Sequence, residues 1–254
     1  MTYEATQKGN PHRLSVNQHT FPKTSIARFS GQGGAVQLYH MVPQKVFRVK
    51  PADKIFCALR VWDQQSESGY MKRVEDGFQT LARRIVENGL IKFGLIETAT
   101  INDFYCLWNI RAHYKQHRIQ DQSIHQGVMG LLREYTKDEE ERLELAGIST
   151  IRGDLTMAGR FLSSPTMRLN HSSATAMMGN ASWGVLRAVE GEFIAPDNFY
   201  RLRVVPLSPT VCLWSQTSRP LELLDRKSVA EINRAAIATS SEYYFARDLS
   251  QCPI

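Results

Sequence analysis

The sequence predicts an α+β fold in which strands from both chain ends form a mostly antiparallel sheet and the middle segment is helical. Three observations predict it: strand-like runs lie at 35–59 and again from Trp183 onward, helix-period patterns fill the chain between them, and one helical pattern follows Ser228. Strands and helices in separate blocks favour α+β over alternating βαβ units. We therefore expect a single domain over residues 1–254, with 66–165 as a candidate helical sub-lobe.

The first strands follow the turn-forming glycines at 31–34. Residues 35–39 have a strand pattern, and residues 45–49 alternate as the hairpin partner, bracketed by Pro43 and Pro51.

Three helices are predicted in the middle. The first has apolar residues three or four positions apart and ends at Asn88–Gly89; those apolar residues are Met71, Val74, Phe78, Leu81 and Ile85. The second runs from Thr100, with Asp103 at capping-box spacing, to about His117. The third opens at Thr136 with Glu139 and stops near Gly147, and residues 157–162 suggest one more.

The C-terminal part returns to strands. Strand patterns cover 183–188, 192–194, 203–205 and 211–214, separated by turn residues. A last helix is predicted from Ser228, with Glu231 completing its capping box, to about Thr239.

Composition limits the class of protein. The formal net charge of +6 favours polyanionic partners, but the basic residues are dispersed without a run of like charges. The four cysteines form no C-x-x-C pair, and three have apolar neighbours, as expected of small buried thiols in a reducing compartment. No secretory signal and no stretch of about 18 apolar residues is present. We expect a cytoplasmic protein without a membrane partner, and nucleic acid is a candidate partner.

His19 is the first candidate functional residue. It titrates near neutral pH, so it could act as a general base or a metal ligand. The alternative is that it hydrogen-bonds the backbone and holds the loop before Pro22.

A second candidate cluster contains Arg60, Asp63, Glu67 and Glu75. Glu67 and Glu75, eight residues apart, would lie about 12 Å apart on a regular helix, too far to share one metal ion. Either could join His19 or Asp63 in space. The alternative is an Arg–Asp pair at a strand end with a capping or solvated glutamate.

Arg111, His113 and His117 form a third cluster on the second long helix. The histidine pair has metal-ligand spacing, but the His-Glu-x-x-His pattern is missing and Lys115 and Arg118 would repel a cation. The cluster therefore favours contact with phosphate or solvent over a metal site.

Asp197 and Asn198 form the fourth cluster, at a predicted strand end after Pro196. A loop carboxylate there is well placed for catalysis, and Asp-Asn is equally typical of an ordinary turn.

These segments resemble a bacterial family catalogued as domain of unknown function 4238. Asn17-x-His19-x-x-Pro22 with Ile26 and Phe29 is similar to its His-x-x-Pro and Leu-x-x-Phe opening. Residues 193–198 resemble its Phe-Ile-Thr-Ser-Asp-x-Pro element, 205–209 its Pro-Leu-Ser-Pro, and 232–233 with 242–245 its C-terminal helix and final strand. Matches at both ends imply that the family domain spans nearly the whole chain.

The resemblance implies a prokaryotic protein, and similarity of some members to phage-defence components implies a nucleic-acid-directed role. Two departures lie in one loop: Phe199 stands where the family has Pro, and Ala195–Pro196 replace its Thr-Ser. They count against ligand binding through hydroxyl groups of that loop.

The leading hypothesis is a nucleic-acid-directed effector, of the phosphodiester hydrolase type, in phage defence. His19 would be the base or a metal ligand, and Asp63, Glu67 and Asp197 would supply carboxylates, with Mg²⁺ a compatible cofactor but no metal identified. Substrate contacts would come from Asn17, Arg60, Arg111 and Asn198. The alternative is a non-enzymatic sensor that recognises nucleic acid or a phage protein, and a small-molecule enzyme with an apolar pocket is a third possibility.

Overall fold

The computed structural model of the protein describes residues 3–124, 133–179, 181–200, 202–215 and 217–254. The strands are β1 (Asn17–His19), β2 (Val36–His40), β3 (Lys45–Val49), β4 (Cys57–Leu59), β5 (Gln122–Ser123), β6 (Thr156–Met157), β7 (Trp183–Ala188), β8 (Ala195–Pro196), β9 (Val204–Ser208), β10 (Val211–Ser215), β11 (Leu221–Leu224) and β12 (Tyr243–Ala246). The helices are α1 (Lys23–Ala27), α2 (Gln64–Ser66), α3 (Lys72–Asn88), α4 (Leu95–Gln116), α5 (Lys137–Leu145), α6 (Gly159–Met178) and α7 (Arg226–Thr239), and a π-helical turn, Glu67–Met71, joins α2 to α3. The predicted α+β class is confirmed.

One antiparallel sheet combines strands from distant parts of the chain, in the order β3-β2-β12-β8. The N-terminal hairpin pairs with β12 near the C-terminus, where Tyr39 lies opposite Tyr244 and the two rings stack with centroids 5.0 Å apart. This stacked pair adds a cross-strand contact to the hydrogen-bonded ladder.

The other C-terminal strands form a separate sheet, in the order β11-β7-β10-β9. Its pairs are antiparallel except for the parallel pair of β7 and β11. Only two residues separate β9 from β10, and closing such a short loop costs little conformational entropy when the two strands pair. The C-terminal strands are therefore divided between two sheets, a division that strand patterns alone do not reveal.

Several predicted element ends are confirmed. Helix α3 ends at Gly89, whose φ of 68° is the left-handed conformation that glycine adopts readily. Helix α5 begins at a capping box, in which the Thr136 side chain accepts a hydrogen bond from the Glu139 N–H and Glu139 reaches back to the Thr136 N–H.

Other ends differ from the prediction. Helix α4 begins five residues earlier than Thr100, because Gly94 donates its N–H to the Glu97 carboxylate at 3.1 Å. Helix α7 begins after Asp225, which accepts the Ser228 N–H at 2.8 Å. Residues 192–194 are not a strand, since the Ile194 N–H donates to the Asn233 side chain instead of a neighbouring strand.

A large buried cluster joins the elements. It includes residues of α3 and α4 from the helical middle together with both large sheets, for example Phe78, Trp108, Leu213 and Phe245. All four cysteines are buried and free, which includes the three that the sequence predicts to be buried, Cys57, Cys106 and Cys212. Over the described ranges, no helix is both long and apolar enough to cross a membrane.

Candidate functional site

His19 ends the short strand β1, which pairs antiparallel with β4 so that His19 lies opposite Cys57. Its Nε2 lies 3.1 Å from the carbonyl oxygen of Pro51, and its Nδ1 lies 3.6 Å from the Cys57 sulfur. Burial lowers the pKa of His19, which favours the neutral ring, and raises the pKa of the Cys57 thiol to about 11. His19 is thus a neutral imidazole oriented by a backbone carbonyl, and Asn17 is exposed at the start of the same strand.

Glu67 and Glu75 both contact the guanidinium of Arg111. The Arg111 Nη2 lies 3.7 Å from the Glu67 carboxylate, Nη1 is in direct contact with Glu75, and Trp62 donates its Nε1–H to Glu67 at 2.5 Å. We call these four residues the Arg111 cluster. The two carboxylates therefore converge on one cation, unlike the separation expected of a regular helix. The π-helical turn, with ψ of −107° at Gly69, changes the direction of the chain between them.

The electrostatics of the Arg111 cluster follow from its geometry. Burial by itself lowers the pKa of Arg111, but Glu75 and Glu67 outweigh it and raise that pKa above its ordinary value. Burial raises the pKa of Glu67, and Arg111 and the hydrogen bond from Trp62 only partly oppose that rise. The charges of Glu75 and Arg111 also act on the pKa of His19.

The remaining predicted carboxylates, Asp63 and Asp197, accept hydrogen bonds from backbone N–H groups. Asp63 is the N-cap of α2 and accepts the Ser66 N–H at 2.7 Å. Asp197 is buried and accepts the N–H groups of Ser241 at 3.0 Å and Glu242 at 2.8 Å. Burial raises the pKa of Asp197, and these two N–H groups oppose that rise.

Arg60 is enclosed by the protein. Its side chain is 1% exposed, and its Nη2 lies 2.6 Å from Glu144, which also accepts from Arg160 at 3.0 Å. Both Arg60 and Arg111 thus use their guanidinium groups for internal ion pairs, an arrangement that the sequence does not reveal.

A cavity of about 430 Å³ opens between the π-helical turn and α6. We call it the arginine cavity; its walls include Asp63, Tyr70, Arg73, Ser149, Ser164 and Arg168. Within the described part of the chain, neither arginine forms an ion pair, although Arg168 lies over the Tyr70 ring at 5.8 Å. The Tyr70 hydroxyl is buried without a hydrogen-bond partner there, and burial raises its pKa to about 12.

The arginine cavity contains one predicted catalytic residue, Asp63. A second cavity, beside α4, is lined by the predicted substrate-binding residue Asn198 and by His113 and His117. The sequence patterns single out neither Arg73, in the first turn of α3, nor Arg168, in α6. Over the residues that the structure describes, no group of three or more histidine, cysteine, aspartate or glutamate side chains could hold a metal ion.

No family model, no curated protein and no solved structure matches the chain. The resemblance to domain of unknown function 4238 stays a hypothesis.

Proposed function

We propose that this protein is a non-enzymatic nucleic-acid-binding protein that holds phosphate groups in the arginine cavity. The observation that carries the proposal is the pair of exposed arginines, Arg73 and Arg168, in the walls of one cavity without carboxylate partners among the described residues. Guanidinium groups bind phosphate oxygens through paired N–H donors.

Other groups of the cavity support a phosphate ligand. The Tyr70 hydroxyl has no partner among the described residues and Ser149 is exposed, so both can hydrogen-bond phosphate oxygens. Asp63 is the carboxylate among the named wall residues, and it is already engaged as a helix cap. The balance of charge in the cavity is therefore positive, in line with the net charge of +6 of the whole chain.

Binding is favoured over hydrolysis because the predicted catalytic groups have internal partners. Asp63 and Asp197 accept backbone N–H groups, and Glu67 contacts Trp62 and Arg111. A hydrolytic site needs carboxylates that converge on a substrate or metal ion. The role we propose is recognition of nucleic acid in prokaryotic phage defence, as the family resemblance implies.

The test measures affinity for labelled single- and double-stranded DNA and RNA over a series of salt concentrations. We expect the double variant Arg73→Ala/Arg168→Ala to bind nucleic acid at least about tenfold more weakly. The magnitude of the slope of log affinity against log salt should also fall by about 2, one unit for each lost phosphate contact. The matched control is Arg234→Ala, an exposed arginine on α7 outside the cavity. Equal effects of the double variant and the control would overturn the assignment of the cavity.

Phosphodiester hydrolysis is the second candidate function, favoured by Glu67, whose carboxylate contacts Trp62 and Arg111 and whose pKa is raised by burial, as in many acid–base groups. The same mixtures with Mg²⁺ or Mn²⁺ report cleavage. Cleavage by the wild type that is lost in a folded His19→Ala variant would replace the binding proposal with a hydrolase.

A further inference from the structure

A second cavity, of about 390 Å³, lies beside the C-terminal half of α4. We call it the histidine cavity; its walls include His113, Gln116, His117, Asn198, Tyr200 and Ser241. Its volume is in the range of sites for small organic ligands. It adjoins a more apolar depression that shares His113 and Tyr200 and extends to Ile110 and Met177.

Charge is the next feature of the histidine cavity to consider. Its described walls contain no lysine, arginine, aspartate or glutamate. Lys115, Asp197 and Glu242, each next to a wall residue in the chain, are already engaged: Lys115 pairs with Glu242 at 2.6 Å, and Asp197 accepts the N–H groups of Ser241 and Glu242. Burial and the neighbouring His117 lower the pKa of His113, so its ring is neutral at pH 7. An uncharged ligand therefore suits this cavity better than a phosphate or carboxylate.

The side-chain oxygen of Asn198 receives no hydrogen bond from the described residues. The residue is 6% exposed, and its Oδ1 is buried without a partner among the described residues. Its Nδ2 is already used, because it donates to Asp197 at 3.2 Å. A buried amide oxygen without a donor is costly, so a ligand that brings an N–H group gains a strong contact here.

The histidine rings add a flat surface. His113 and His117 stack with centroids 4.4 Å apart and planes inclined by 20°. His117 donates its Nδ1–H to the His113 carbonyl at 3.1 Å, so in the neutral ring Nε2 is an acceptor. Both residues are exposed, so their outer faces are accessible to a planar ligand.

We propose that the histidine cavity binds an unpaired nucleobase that carries an exocyclic amino group: adenine, cytosine or guanine. The amino group donates to Asn198 Oδ1, and the ring stacks against His113. Proteins recognise single-stranded bases by this combination of an aromatic face and a polar edge. The choice of a nucleobase among planar heterocycles rests on the proposed nucleic-acid function, whereas the site itself is separate from the arginine cavity.

The experiment uses nucleosides, which have no phosphate and so bypass the arginine cavity. Adenosine, cytidine and uridine are titrated into the full chain, and binding is followed by NMR chemical shifts. We expect adenosine and cytidine to bind at least about tenfold more tightly than uridine, which places a carbonyl where the amino group is needed. His113→Ala should weaken adenosine binding about tenfold, through loss of the stacking face.

Two controls separate this inference from the proposed function. His40→Ala removes a histidine at the end of β2, outside the cavity, and should leave adenosine affinity unchanged. Arg73→Ala/Arg168→Ala should also leave it unchanged. If no nucleoside binds, or if His113→Ala binds adenosine like the wild type, the nucleobase site is wrong, whatever the result with oligonucleotides. Adenosine binding that depends on His113 supports the site even if the arginine variants fail to weaken oligonucleotide binding.

Discussion

The two arginines predicted to contact the substrate, Arg60 and Arg111, are enclosed by the protein. Arg60 and Arg111 have side chains only 1% and 2% exposed, and each pairs with a glutamate far along the chain. By contrast, Arg73 and Arg168 remain at the surface and line a cavity. Which arginines can reach a ligand is thus decided by what surrounds each guanidinium, not by its neighbours in sequence.

The buried pair of Arg60 and Glu144 leads to the first prediction on stability. Glu144→Ala leaves the guanidinium groups of Arg60 and Arg160 buried without their shared carboxylate. We expect a loss of about 3–5 kcal/mol in the free energy of unfolding, because an uncompensated buried charge is costly. Urea denaturation followed by circular dichroism measures it.

Lys72→Ala is the control for that variant, because Lys72 and Asp76 form an ion pair between largely exposed side chains. Solvent screens such a pair, so the urea midpoint should stay close to that of the wild type. Similar midpoints for Glu144→Ala and Lys72→Ala would contradict the structural role of Glu144.

At the scale of secondary-structure elements, glycine positions show where one segment packs closely on another. Gly159 begins α6, and a β-carbon placed there would lie 2.0 Å from the carbonyl oxygen of Ile119. Its N–H also donates to Asp121 at 2.9 Å, which fixes the start of the helix. The contact thus holds α6 against the chain that follows α4.

The second prediction compares two identical substitutions with opposite effects. Gly159→Ala should lower the free energy of unfolding by about 1–3 kcal/mol, since the backbone at Ile119 must move to admit the methyl group. Gly77→Ala, inside α3, should raise it by about 0.5–1 kcal/mol, because the nearest atom is 3.8 Å from the added carbon and alanine favours the helix. Urea midpoints of both variants give the comparison; a stabilising Gly159→Ala would contradict the close packing.

At the scale of the whole molecule, the N-terminal segment is fastened to helices α5 and α6. The Gln7 N–H donates to Glu141 at 2.7 Å, and His12 Nε2 lies 2.8 Å from Asp138. Glu4 contacts Lys137 and Arg160 and lies 3.0 Å from Arg152. Much of this attachment is ionic, so it should respond to pH.

The third prediction concerns the pH dependence of the stabilisation that Glu4 provides. Burial by itself raises the pKa of Glu4, but Arg160, Lys137 and Arg152 together lower it from 4.5 to about 2. The folded state therefore binds this proton more weakly than the unfolded state. The stabilisation from Glu4 should be complete above its unfolded pKa and should disappear as the pH falls through about 2.

Glu4→Gln tests this expectation. The difference in free energy of unfolding between wild type and Glu4→Gln should be largest at pH 6–7 and should shrink steadily below its unfolded pKa of 4.5. Asn10→Ala is the control in the same segment, because the described hydrogen bonds of the Asn10 side chain go only to the neutral backbone of Leu14. A Glu4→Gln difference that stays constant with pH would contradict the ionic attachment.

The sequence by itself determined the class of the fold and many of its elements. The hairpin of β2 and β3, the end of α3 at Gly89 and the capping box of Thr136 and Glu139 were all predictable. These features depend on residues within a few positions of one another, where periodicity and capping chemistry act. Where a different residue caps the helix, as Gly94 does for α4 and Asp225 for α7, the predicted helix start was misplaced by two to five residues.

Only the tertiary structure decided which polar residues remain available for a ligand. Arg60 meets Glu144 across 84 positions, Arg111 meets Glu75 across 36, and Asp197 meets the backbone of Glu242 across 45. The arginine cavity likewise joins Arg73 on α3 to Arg168 on α6. Burial and ion pairing depend on distances in space between residues remote in sequence, and local patterns carry little information about them.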